Sequence, residues 1–145
     1  SQITLKTYPE KCILYLLALL LLISCEDNGT TNKNDLEGTY QGIFYRNSAS
    51  EDFDTANVTI EFSSDTWEGA SNITHYPALC HGSYSIKADS IYFENECAWT
   101  ADFDWSFILD GTYYFQNMDD TITFQRKYGS DTTANYSDNY LLIKQ

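Results

Sequence analysis

Proline and methionine are almost missing from this chain of 145 residues, which has two of the first and one of the second. Glycine is limited to seven positions. That scarcity excludes collagen-like and low-complexity disordered chains, which are rich in proline and glycine. Basic residues are also few: eight Lys and Arg stand against 21 Asp and Glu, a net charge of −13. Nucleic-acid phosphates are bound by Lys and Arg that release counterions, so no nucleic acid is expected as a partner. Long hydrophobic runs are lacking too. The apolar stretch "ILYLLALLLLI", Ile13 to Ile23, has eleven residues, whereas a bilayer-spanning helix needs about twenty. No GxSxG, HExxH, P-loop or GxGxxG motif occurs, so neither catalysis nor a cofactor is expected. What the chain does have is aromatic weight, with twelve Tyr and eight Phe, residues that favour strands.

Residues 1–25 differ from everything after them. Lys6 and Lys11 precede the apolar run, and Ser24 and Cys25 follow it. A basic start, about 7–15 apolar residues and a small residue before cleavage make a secretory signal. The sequence Leu22-Ile23-Ser24-Cys25 resembles the lipobox of bacterial lipoproteins. That resemblance implies a diacylglyceryl group on the Cys25 sulfur, cleavage after Ser24 and acylation of the new N-terminus. Each buried methylene adds about 0.8 kcal/mol, so two or three chains anchor stably where one does not. The competing reading is a core helix with an incidental cysteine, but the segment has no polar face to offer water. Cys12 falls inside the removed segment and takes no role.

"EDNGTTNKND", Glu26 to Asp35, is then a polar tether. Its Glu26 and Asp27 resemble the surface-export signals of Bacteroidota lipoproteins. The expected location is the outer membrane, lipid-anchored, on the cell surface or the periplasmic face. Loss of residues 1–24 removes two of the eight basic and one of the 21 acidic side chains. Six against 20 remain, a net of −14, so the acidity belongs to the folded domain. The expected organisation is a signal peptide at 1–24, a tether at 25–35 and one domain at 36–145.

From Leu36 onward apolar residues recur with period two, the strand signature. "NVTIEF" puts Val58, Ile60 and Phe62 on one face, "SIYFE" joins Ile91 and Phe93, and "DTITFQRK" joins Ile122 and Phe124. "ADFDWSFIL" alternates Phe103, Trp105, Phe107 and Leu109. No long amphipathic helix is apparent, and an all-β domain of consecutive antiparallel strands is predicted. A turn centred on Ala88-Asp89 sets Ile86 opposite Ile91, Tyr84 opposite Phe93 and Cys80 opposite Cys97. These are non-hydrogen-bonded positions, where side chains come closest and a disulfide is best tolerated. A second turn centred on Met118-Asp119 would set Phe115 opposite Ile122 and Tyr113 opposite Phe124.

Cys80 and Cys97 therefore read as a disulfide in an oxidising compartment. Free thiols are one alternative. A metal site using His75 and His81 is another, although no CxxC or HxxxH spacing supports it. The carboxylate groups Glu51-Asp52-Asp54, Asp102/Asp104 and Asp119-Asp120 offer an acid/base pair of the glycosidase kind, or simply solvated turns. Trp67, Trp99 and Trp105 suit stacking on a sugar, or core packing.

"LEGTYQG", "GSYSIKADSIYF", "WSFILDGTYYF" and the terminal "NYLLIK" together make residues 36–145 resemble the small lipocalin-like lipoproteins of Gram-negative bacteria. Tyr40 stands where the lipocalin first strand usually has Trp. The resemblance implies a monomeric, eight-stranded up-and-down barrel whose interior holds one small ligand or fills with side chains. The inward candidates for contacting a small apolar or glycan ligand are Tyr40, Phe44, Ile60, Phe62, Tyr84, Ile86, Phe93, Trp105, Phe107, Tyr113, Phe115 and Phe124. The second reading is an interaction or inhibitor module with a filled core, acting on a protein partner through its acidic surface. A void lined by these aromatics favours the first reading, and a solid core the second.

Overall fold

In the computed structural model, eight antiparallel strands follow one another around a closed barrel. Residues 36–129 and 136–145 are described; Cys25 and the expected signal segment and tether lie outside them. The strands are β1 (Gly38–Ser48), β2 (Thr55–Ser63), β3 (Thr66–Ser71), β4 (His81–Lys87), β5 (Ser90–Asn95), β6 (Gly111–Met118), β7 (Thr121–Tyr128) and β8 (Tyr136–Lys144). Each pairs with its sequence neighbour, and β1 closes on β8 from Tyr40 opposite Lys144 to Ser48 opposite Tyr136. Closure gives every described strand a neighbour on both sides.

Period-two alternation fills the interior. Val58, Ile60 and Phe62 are buried along β2, as are Ile91 and Phe93 on β5 and Ile122 and Phe124 on β7. Rings then run in contact along the barrel. Tyr40 meets Phe62 at 5.6 Å between centroids, Phe62 meets Tyr84 at 5.0 Å, and Trp67 meets Phe93 at 5.7 Å. Phe93 meets Phe124 at 5.2 Å, and Phe124 stacks on Tyr140 at 4.3 Å. Phe44 continues from Tyr140 to Tyr76 at 4.8 and 5.0 Å. Such pairs add about 0.5–1.5 kcal/mol each beyond the area they bury. An eight-stranded barrel is just wide enough for side chains to fill it, and here aromatics do so.

The first predicted hairpin register is observed: Tyr84 faces Phe93, Ile86 faces Ile91, and Cys80 is bonded to Cys97. The second is displaced by two residues. Phe115 faces Phe124 and Met118 faces Thr121, so the turn is Asp119-Asp120 and not Met118-Asp119. A two-residue slip keeps every side chain on its face, which is why the hydrophobic pattern alone does not detect it. The backbone decides: Asp119 takes φ +55°, a left-handed value that Asp tolerates better than Met.

"ADFDWSFIL" is not a strand. It is a loop with a short 3-10 turn over Trp105–Phe107, because its aspartates bond locally instead of leaving the backbone to a ladder. Asp102 accepts from the Thr100 hydroxyl, and Asp104 caps the turn by accepting from the Ser106 N–H at 2.9 Å. Trp105 and Phe107 are therefore outside the barrel interior.

The acidic turn end and the loop end are built differently. The β2–β3, β4–β5 and β6–β7 turns are two residues each, Ser64-Asp65, Ala88-Asp89 and Asp119-Asp120. In all three the first residue is left-handed, at φ 54°, 54° and 55°. In all three the aspartate carbonyl then accepts a backbone N–H from the next strand, Tyr84, Phe115 or Lys144, at 2.7–2.8 Å. Leu36 is buried beneath this end, its N–H donating to the Tyr84 hydroxyl at 2.9 Å.

Candidate functional site at the loop-bearing end

Binding residues concentrate on loops held by a rigid scaffold, and the long connections of this barrel all leave from one end. Residues 49–54, 72–80 and 96–110 join β1 to β2, β3 to β4 and β5 to β6. Their anchor is Arg46, at an inward position on β1 two residues after Phe44. Its Nε and Nη2 donate to Asp138 Oδ1 and Oδ2 at 2.6 and 2.8 Å, a bidentate pair between two buried residues. Nη1 donates to Ser106 Oγ at 2.9 Å and Nη2 to the Ser106 carbonyl at 3.1 Å. The guanidinium lies 3.8 Å from the Phe107 ring centroid and 4.1 Å from that of Tyr136. A planar cation suits this arrangement because it bonds in its plane and stacks on its faces.

Burial pushes the Asp138 carboxyl above its ordinary range, against the opposing hydrogen bond and charge of Arg46. Burial would also favour losing the Arg46 proton, but the hydrogen bond and charge of Asp138 outweigh it and raise the pKa. Desolvation pushes the neighbouring Tyr128 hydroxyl up to about 12. That hydroxyl donates to the Ser106 carbonyl at 3.2 Å.

Backbone bonds tie two of the loops to each other. Ala78 N–H donates to the Phe107 carbonyl at 3.0 Å, and Leu109 N–H to the Ala78 carbonyl at 3.2 Å. Tyr76 donates its hydroxyl to the Asp54 carbonyl at 2.6 Å, bringing in the β1–β2 loop. His75 stacks on Phe103 at 4.1 Å with Trp99 edge-on, so it stands with aromatics and not with the cysteines.

The outer face of this end is aromatic and acidic. Trp105 is 55% exposed, and its indole N–H, donating to the Thr100 carbonyl at 2.9 Å, fixes the ring. Asp102 and Asp104 flank it; hydrogen bonds from Thr100 and from the Ser106 N–H hold their carboxyls below the usual range. Glu51, Asp52, Asp54 and Glu96 lie on the same loops, which contain no Lys or Arg.

Of the inward candidates, Tyr40, Phe44, Ile60, Phe62, Tyr84, Phe93, Tyr113, Phe115 and Phe124 are brought together as core, and Ile86 packs partly buried against them. Phe107 caps Arg46 from the loop, and Trp105 points outward. Trp67 is core at 2% exposure, Trp99 belongs to the His75 stack, and Asp119-Asp120 is a turn. Two grooves, of about 560 and about 370 Å³, lie across β1–β3 and along the β3–β4 junction. Neither is lined by any of the inward candidates. The sequence reasoning missed Arg46, Asp138, Ser106 and Leu36. Parity could have found two of them, since 46 follows 40 and 44, and 138 precedes 140 and 142, on inward positions. Comparison with protein-family models, curated proteins and solved structures gives no match for this chain.

Proposed function

We propose that this chain is a lipid-anchored, non-enzymatic interaction module of lipocalin-like build, which engages a basic protein partner through its loop-bearing end. The observation that carries this reading is the packing of the barrel. Phe44, Phe62, Phe93 and Phe124 occupy the interior at 0–1% exposure, and Arg46 and Asp138 seal the loop end above them. A small apolar or glycan ligand would have to displace that core and break a buried ion pair, whose loss of one partner costs about 3–5 kcal/mol. The outer surface needs no such rearrangement. Trp105 offers a fixed ring face to a Lys or Arg side chain, and the surrounding carboxylates steer a cation toward it. Trp and Tyr are the residues that most often dominate interface energies.

A photoreactive amino acid at position 105 tests this in the producing cell. Cross-links to a basic protein from position 105, and none from an equivalent probe at Tyr92 on the barrel wall, are expected. Equal cross-linking from both sites contradicts the reading. Anchoring is tested separately: radioactive palmitate should label the wild type and spare Cys25→Ala, and equal labelling removes the anchor.

A further inference from the structure

We propose that Cys80, Cys97 and His81 form a redox-gated zinc site, closed as the disulfide and opened when a dithiol reduces it. The observation is the position of the imidazole. His81 Nδ1 lies 3.4 Å from Cys80 Sγ and 3.3 Å from Cys97 Sγ, and the three donor atoms fall within 4.8 Å of one another. Zinc bonds of about 2.3 Å to sulfur and 2.0–2.1 Å to nitrogen place tetrahedral donors roughly 3.5–3.8 Å apart. The two nitrogen–sulfur separations are already near that value. Only the sulfurs must part, which side-chain rotation achieves with the Cα atoms 6.4 Å apart.

Hydrogen bonds besides the disulfide also hold the backbone under all three ligands. The Cys80 carbonyl accepts from Gly69 N–H at 2.7 Å, and the His81 carbonyl from Glu96 N–H at 3.0 Å. The Cys97 N–H donates to Asn95 Oδ1 at 3.0 Å, and Gly82 pairs with Asn95 in the β4–β5 ladder. A ligand set fixed before the metal arrives avoids the ordering cost that an unfolded site carries. His81 is exposed and both cysteines are half-buried, so reductant and metal can reach them. Glu61, Glu68 and Glu96 share the adjoining cleft with His81 and supply the negative potential that draws a dication in.

The chemistry balances in two steps. A dithiol delivers two electrons and two protons, the Cys80–Cys97 bond breaks to two thiols, and the reductant leaves as its own disulfide. Zinc then displaces both thiol protons into solvent, forming two Zn–S bonds and one Zn–N bond to the Nδ1 of neutral His81. Water takes the fourth position, as in three-ligand zinc sites.

The test uses the full chain, reduced with dithiothreitol, freed of reductant and titrated with Zn²⁺ against a chromophoric chelator. The Cys80→Ser/Cys97→Ser double variant, which keeps Cys12 and Cys25, is the baseline. Reduced wild type should hold one zinc beyond that baseline, and the oxidised protein none. His81→Ala should weaken that zinc by at least about tenfold, since even outer-shell substitutions cost that much. Cobalt should give a stronger thiolate charge-transfer band in the reduced wild type than in the reduced double variant. Zinc affinity equal to the baseline, or unchanged in His81→Ala, overturns the proposal. Loss of the aromatic circular dichroism of the barrel on reduction overturns it equally, because the site depends on the ladder staying formed.

Discussion

The turn end of the barrel closes with backbone, and the loop end closes with side chains. At the turn end three X-Asp pairs repeat one geometry, and each aspartate carbonyl reaches across to the next strand. Only short, self-satisfied segments result. At the loop end the strands are bridged by Arg46 and Asp138, with Ser106 and Phe107 drawn down onto the guanidinium. That arrangement ties down the described connections at this end and leaves Trp105 exposed. The proposed recognition surface lies at the end where side chains make the closure.

The largest effect is expected at the ion pair. Asp138→Ala leaves a buried guanidinium without its carboxylate and should cost about 3–5 kcal/mol in denaturant unfolding. Restoring apolar packing with Arg46→Met/Asp138→Leu should recover much of that stability while releasing the Trp105 loop, seen as altered Trp fluorescence. If Asp138→Ala costs under about 1 kcal/mol, far less than a broken buried pair should, the loop end is not closed by this pair. Next comes the staple. Cys80→Ser/Cys97→Ser opens a link across a sequence separation of 17 and should lower stability by about 3 kcal/mol, with the barrel still formed. A loss near zero would mean that the β3–β4 connection is held by other contacts.

At the turn end the effects should be smaller and of opposite sign. Ala88→Gly removes the Cβ that a left-handed φ of 54° disfavours, and should stabilise by about 0.5–1 kcal/mol after the entropic penalty of glycine. A destabilised Ala88→Gly would show that the turn geometry carries no strain. The smallest effect is in pH. Asp104 is held below its usual range by the Ser106 N–H, so its contribution is present above the unfolded value of about 3.9 and is lost as pH falls through the lower folded value. Trp105 fluorescence should therefore change in acid below the ordinary Asp range, and Asp104→Ala should remove that transition.

Much of this fold is legible in residue alternation. The inward sets on β2, β5 and β7 follow from parity, and the first hairpin register from the agreement of Tyr84, Ile86, Ile91 and Phe93. The disulfide follows from extending the same register outward. Parity also explains the failures. It cannot separate registers two residues apart, so Asp119-Asp120 replaces Met118-Asp119 as the second turn without altering either face. It also mistakes "DFDWSF" for a strand, because Asp102 and Asp104 alternate with aromatics while spending their oxygens on local caps. The loop end escaped because its determinants are polar residues at inward positions. Arg46 and Asp138 lie 92 residues apart, and nothing local in either strand announces the partner. The lipidation of Cys25 rests on a resemblance to the lipobox, and the palmitate experiment addresses it.

The most direct measurement is native mass spectrometry of the chain isolated gently from the producing cell, beside a Trp105→Ala variant. The mass of the chain without a small molecule is expected, together with a complex containing a basic protein that the variant loses. A reproducible added mass of a few hundred daltons, retained in Trp105→Ala and absent when the core is enlarged by Ile60→Phe, would place a ligand inside the barrel and contradict the account.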